Sequence, residues 1–93
     1  MNIYKIMVVD DELDIINFIS PYLTNENFEV LPFTSADEAM RCLNVEKIDL
    51  AILDIMLPGM NGLDFCKEIR KKYSFSIMIT IQPYIISSLF QLG

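Results

Sequence analysis

Two groups of carboxylates, Asp10-Asp11-Glu12 and Asp54, each stand directly behind a short apolar run, Ile6 to Val9 and Leu50 to Leu53. A charge at the tip of an otherwise apolar strand is costly to bury, so it should face solvent, a cation or a reactant. Crowded carboxylates repel one another unless a cation or a proton intervenes. An all-oxygen cluster favours a hard divalent cation, and magnesium needs only a few carboxylates plus waters. The same cation would neutralise a phosphoryl group approaching Asp54 and make an aspartyl phosphate chemically accessible. Taken singly, Asp10 or Asp11 could cap a helix and Asp54 could open a turn. Their coincidence at two strand ends favours one shared site.

The composition excludes several other chemistries. The 93 residues contain no histidine, which removes Ser-His-Asp triads and histidine zinc sites. Cys42 and Cys66 form no C-x-x-C motif, so two reduced thiols packed on helices are expected rather than a disulfide or metal pair. A net charge of -6 disfavours a nucleic-acid surface within this chain. The first residues lack the basic start and long apolar core of a signal peptide, so a cytoplasmic location is expected. A hydrophobic fraction of 53% suits one globular domain with a buried sheet.

The carboxylates need strands behind them and helices around them. Ile3 to Val9 reads as a first strand. A helix from Glu12 to about Leu23 follows, with Leu13, Ile16, Ile19 and Leu23 on one face and Ile15, Phe18 and Tyr22 beside it. That wide apolar stripe suits a helix pressed between a sheet and another helix. Asp11 is a candidate cap, and Pro21 predicts a bend or an early end. Phe28 to Phe33 reads as a second strand, and Glu29 and Pro32 place it at a sheet edge. Ser35 and Glu38 match a capping box ahead of a helix through Leu43. Ile48 leads into the strand ending at Asp54, and Pro58-Gly59 and Asn61-Gly62 punctuate the turn beyond it. A third helix begins near Asn61, with Arg70, Lys71 and Lys72 complementing the dipole of its last turn. Phe75 to Ile81 reads as a fourth strand. The alternation β-α-β-α-β-α-β predicts a parallel α/β sheet. Ligands in such sheets bind beyond the carboxyl ends of the strands, where the winding reverses, and Asp10, Asp11 and Asp54 converge there.

Met7-Val8-Val9-Asp10-Asp11-Glu12 together with Leu53-Asp54-Ile55-Met56-Leu57-Pro58-Gly59-Met60-Asn61-Gly62 resembles the receiver domain of two-component response regulators. The stretch from Ile48 to Gly59 further resembles the winged-helix transcriptional regulators of the vancomycin-resistance type. The resemblance covers about residues 3–80 and implies a flavodoxin-like fold. It implies that Asp54 is a phosphoacceptor charged by a sensor histidine kinase, in a module that is not an enzyme beyond self-phosphorylation and self-dephosphorylation. It also implies magnesium bound directly by Asp11, Asp54 and the Met56 backbone carbonyl, with Asp10 acting through water. The family carries a Thr or Ser at the end of the fourth strand; Thr80 is the candidate, with Ile81 as the alternative occupant of that slot.

The chain departs from the family after that point. Every charged residue lies within positions 1–72, so the family's later lysine has no counterpart. The expectation is a partial receiver domain over residues 1–80 with strand order 2-1-3-4, an atypical apolar tail over 81–93, and no fifth strand, later helices or output domain. A shifted reading frame or truncated gene is the hypothesis for the change in composition. A membrane span over 73–93 would be interrupted by Pro83, Ser87 and Ser88, so none is expected. The tail could fold over the gap, as a short helix through Ile85 to Leu92. A bare fourth strand would invite self-association, which makes a non-signalling, dimerising fragment the alternative to a signalling module. A phosphohydrolase of the haloacid-dehalogenase type would want a second acid where Met56 stands.

Overall fold

The computed structural model describes residues 3–81 and 85–90. Eight elements follow one another: β1 (Lys5–Val9), α1 (Leu13–Asn25), β2 (Glu29–Phe33), α2 (Ala36–Leu43), β3 (Leu50–Asp54), α3 (Gly62–Arg70), β4 (Ser76–Ile81) and β5 (Ile85–Phe90). They build one sheet in the order β2-β1-β3-β4-β5. The first four strands are parallel, and β5 runs antiparallel to β4.

Strand alternation divides the core in two. Met7, Val9, Ala51, Leu53, Ile77 and Ile79 point to the side covered by α2 and α3, where Phe65 and Ile69 are fully enclosed. Ile6, Val8 and Ile52 point to the other side, against Ile16 of α1. Full burial of each such side chain contributes about 1.5–3 kcal/mol, so the paired β-branched and aliphatic runs suffice to hold three central strands in register. β2 is an edge, as Glu29 and Pro32 predict, because it pairs only with β1 and the missing Pro32 N–H breaks no ladder on its free side.

Helix starts follow local chemistry. The Ser35 hydroxyl accepts the Glu38 N–H at 3.3 Å and donates to the Glu38 carboxylate at 3.1 Å, so Ser35 caps α2 and Glu38 turns back onto the Ser35 side chain. Asn61 caps α3, its side-chain oxygen accepting the Asp64 N–H at 2.9 Å. Asp11 does not cap α1: Glu12 holds the cap position without a side-chain cap bond, and Asp10 takes the Glu12 N–H at 2.9 Å. Nor does Pro21 end α1, which continues to Asn25. Pro21 and Asn17 are both exposed, so water can satisfy the Asn17 carbonyl that the proline leaves without a donor.

Two expectations are corrected at the end of the chain. A fifth strand is present, and it is antiparallel rather than the helix expected over Ile85 to Leu92. The edge of β4 is therefore not bare: it pairs from Ile77 to Ile81 with β5, and self-association through an exposed β4 loses its basis. An uncharged segment that follows β4 after a short connection can satisfy its backbone most directly by folding back along the strand it has just left. The expected partner of that β4 edge is thus supplied by the chain itself. Leu92 and the rest of 91–93 lie outside the described residues, as do Gln82 to Tyr84. Among the described residues, no helix is long and apolar enough to cross a membrane.

Candidate functional site

The chain leaves β1 for β2 on one side and β3 lies on the other, so the winding reverses between β1 and β3. The carboxyl ends of these two strands carry Asp10 and Asp54. One carboxylate oxygen each from Asp10, Asp11 and Asp54 lies within 4.8 Å of the others. Asp10 and Asp54 are only 4% and 2% exposed, whereas Asp11 is open to solvent. All three sequence candidates for the acidic site are thus brought together.

Backbone donors fix two of them. The Met56 N–H donates to Asp54 Oδ1 at 3.0 Å, and the Glu12 N–H donates to Asp10 Oδ1 at 2.9 Å. Asp54 Oδ2 is buried and, among the described residues, has no hydrogen-bond partner. An orphaned carboxylate oxygen in a buried setting is costly unless a cation or reactant meets it. Burial pushes the Asp10 carboxyl up to about 6; the charges of Asp54, Asp11 and Glu12 add to the shift, and the Glu12 backbone bond opposes it. The cluster is short of positive charge, and its all-oxygen donors fit a hard divalent cation. These residues could hold a metal.

The turn after β3 is held from both sides. The Ile55 N–H donates to the Thr80 carbonyl at 3.1 Å, and the Gly62 N–H donates to the Ile55 carbonyl at 2.8 Å. Gly59 supplies a left-handed bend with φ 80, and Leu57 turns back into the core at 7% exposure. Met56 is 65% exposed at the mouth of the site. Thr80, rather than Ile81, is the residue in register with Asp54, and its hydroxyl donates to the Leu53 carbonyl at 3.3 Å. Gly62 is a residue whose role the sequence conceals. Asn61-Gly62 signals a turn, yet Gly62 opens α3 and sits so close to the strand end that a Cβ would stand 2.5 Å from the Asp54 carbonyl oxygen. Cys42 and Cys66 are both free thiols on helices, as expected.

Comparison with known proteins places this geometry. The response regulator receiver domain model matches residues 6–86. The chain is 48% identical over 75 residues to the regulatory protein VanR of Enterococcus faecium, covering 81% of this chain and 32% of VanR. It therefore spans about a third of the length of that relative. Among solved structures, the response regulator TrrA of Thermotoga maritima, in complex with Mg(2+)-BeF, superposes with a TM-score of 0.81 at 34% identity, over 87% of this chain and 71% of that one. The signal receiver domain of an HD domain-containing protein from Pseudomonas fluorescens shares the fold at a TM-score of 0.84 and 21% identity, over 91% and 69% of the two chains. With Asp10 following the first strand and Asp54 closing the third of a sheet wound in the receiver order, the chain belongs to the response regulator receiver domain family, the phosphoacceptor modules of two-component signalling.

Proposed function

We propose that Asp54 is the phosphoacceptor of this module, charged by a sensor histidine kinase. The observation that carries the reading is Asp54 Oδ2, a buried oxygen without a partner among the described residues, inside a cluster of three carboxylates. The Met56 N–H holds Oδ1 and so fixes the rotation of the carboxylate, leaving Oδ2 as the attacking atom. As the Oδ2–P bond forms, the donor's P–N bond breaks and the departing nitrogen is protonated.

Asp10, Asp11, Asp54 and the Met56 backbone carbonyl are the proposed magnesium ligands, with Asp10 acting through water. Bound there, magnesium would offset the negative charge that accumulates as a phosphoryl group meets the carboxylates. The complex of TrrA with Mg(2+)-BeF supports this choice of ion. Thr80 is the proposed switch position: its hydroxyl, now bonded to the Leu53 carbonyl, stands at the strand end beside the acceptor and could exchange that partner for a phosphoryl oxygen. Residues 73–93 offer no cation to a phosphoryl group, so acceptance of the group is expected to be better preserved than its conversion into a conformational change.

Incubation with a small phosphodonor and magnesium, followed by intact-mass measurement, tests the reading. One phosphoryl group should be added to the wild-type chain and none to Asp54→Asn. An adduct that persists in the variant, or no adduct on the wild type, would sink it.

A further inference from the structure

Of the three helices, α1 has an outer surface with almost no charge. α2 carries Asp37, Glu38 and Arg41, and α3 carries Asp64, Lys67, Glu68 and Arg70, whereas Asp14 is the only charged residue of α1. Its hydroxyls are satisfied within the helix, Ser20 donating to the Ile16 carbonyl at 2.7 Å and Thr24 to the Ser20 carbonyl at 2.8 Å. At about 100° per residue, Ile16 and Leu23 point at the sheet, and Ile15, Phe18, Ile19 and Tyr22 share one flank. Asp14 lies about a quarter-turn off the centre of that flank. Ile15 and Ile19 are half-buried, but Phe18 and Tyr22 are 66% and 64% exposed, with ring centroids 5.5 Å apart. The wide apolar stripe suits a helix pressed between a sheet and a second helix, yet only the sheet meets it. α2 and α3 pack on the opposite face, and among the described residues α1 is the only helix on its own side. Leu50 and Met78, on that same side of the sheet, also remain half-buried.

A flank of this kind offers a partner apolar and aromatic area and no charge to read, so what covers it must be equally uncharged. The chain supplies such a surface itself. With a net charge of -6, two copies repel wherever their acids meet, and the Phe18–Tyr22 flank lets them touch with no like charges opposed. We propose that this flank is an interface between two copies of the chain, their α1 helices packed antiparallel across a two-fold axis. The axis sets Phe18 of each copy against Tyr22 of the other, so one ring pair per chain becomes a cluster of four rings at the centre of the contact. Because the same patch serves both copies, association closes at two and does not propagate. Each helix of 13 residues is about 20 Å long, and two of them meeting along one flank make an interface at the low end of the roughly 1,200–2,000 Å² that specific complexes bury. The dimer is therefore reversible and concentration-dependent. The proposal does not rest on Asp54 being the phosphoacceptor.

Size-exclusion chromatography with light scattering tests this on the full chain, loaded from micromolar to millimolar concentration. The mass should rise from that of one chain towards that of two. Phe18→Glu combined with Tyr22→Glu should hold it at one chain throughout. Val45→Glu, at an apolar residue that is 79% exposed on the α2–β3 connection, should leave the rise unchanged. Mixing the double-glutamate chain with one carrying Phe18→Lys and Tyr22→Lys should restore a two-chain species, because opposite charges then face each other across the axis. A wild type that stays at one chain, a dimer that survives the double-glutamate substitution, or a mixture that stays at one chain overturns the proposal. Should the double variants lose their helical circular dichroism, amide shifts of the wild type on dilution decide instead. Changes centred on α1 uphold the interface; changes centred elsewhere, or none, overturn it.

Discussion

Gly62 stands so close to Asp54 that a Cβ added to it would lie 2.5 Å from the Asp54 carbonyl oxygen and 2.7 Å from Ile55 Cα. The first residue of α3 is thus pressed against the backbone that carries the Asp54 carboxylate. Both clashing atoms are main chain, so neither can rotate away. Replacing an exposed helical glycine with alanine ordinarily stabilises by about 1 kcal/mol; here, overpacking should reverse the sign. Gly62→Ala is expected to lower unfolding free energy by roughly 1–3 kcal/mol, measured in urea, and to slow phosphoryl labelling of Asp54. A variant as stable as the wild type would show that the strand end yields more easily than its contacts imply.

Asp10 gives the fold a pH dependence of a particular sign. Burial holds its carboxyl at about 6 in the folded chain against 3.8 for the free group. Between those values the folded state keeps a proton that the unfolded state has lost. Ionising Asp10 therefore costs the folded state, and its contribution to stability falls as pH rises from about 4 to about 6. Asp10→Asn, which keeps an oxygen for the Glu12 N–H, should flatten that slope in thermal melts without divalent cation. An unchanged slope would assign the pH dependence to other groups.

Much of this fold was legible because short-range chemistry and strand position agree. Ser35 and Glu38 announce α2, Asn61 caps α3 as its position ahead of the apolar spacing requires, and Pro32 and Glu29 mark β2 as an edge. The acidic site was legible for a different reason: Asp10 and Asp54 interrupt apolar runs that are otherwise buried. Three features were not legible. Asp11 looks like a helix cap, but the cap position falls on Glu12, whose N–H is held by Asp10. Pro21 looks like a helix stop, but its missing bond falls on a solvent-facing side of α1. β5 has no periodicity to announce it, and its antiparallel pairing depends on β4 offering an unmatched backbone edge.

Thr80 links β4 to β3, the strand that ends in Asp54. Its hydroxyl donates to the Leu53 carbonyl at 3.3 Å, and its own carbonyl accepts the Ile55 N–H. Thr80→Val keeps the shape and the backbone bond but removes the hydroxyl donor. The expected loss is about 0.5–1.5 kcal/mol in chemical denaturation. Because Thr80 contributes no carboxylate to the cluster, the magnesium titration of the variant should follow that of the wild type. A weakened titration would mean that the hydroxyl helps to shape the cation site, a role its present hydrogen bond does not indicate.

The last prediction separates the charge of Asp54 from its packing. Asp54 is 2% exposed, and its Oδ2 lies beside Asp10 and Asp11 without a partner among the described residues. In the absence of a cation, that charge is a burden on the fold, because desolvation and like-charge repulsion both act on it. Asp54→Asn retains the acceptor oxygen for the Met56 N–H and turns the other atom into a donor that can face the Asp10 carboxylate. Without divalent cation, the variant should therefore melt higher than the wild type. Relief of roughly 1 kcal/mol corresponds to about 4–8 °C in a domain of this size. Magnesium should then raise the melting temperature of the wild type by mass action and do little to the variant, so that the two curves converge or cross as the ion is added. A variant that melts below the wild type without magnesium would show that the Asp54 carboxylate is held by favourable contacts, and that the cluster does not depend on a cation for its balance of charge.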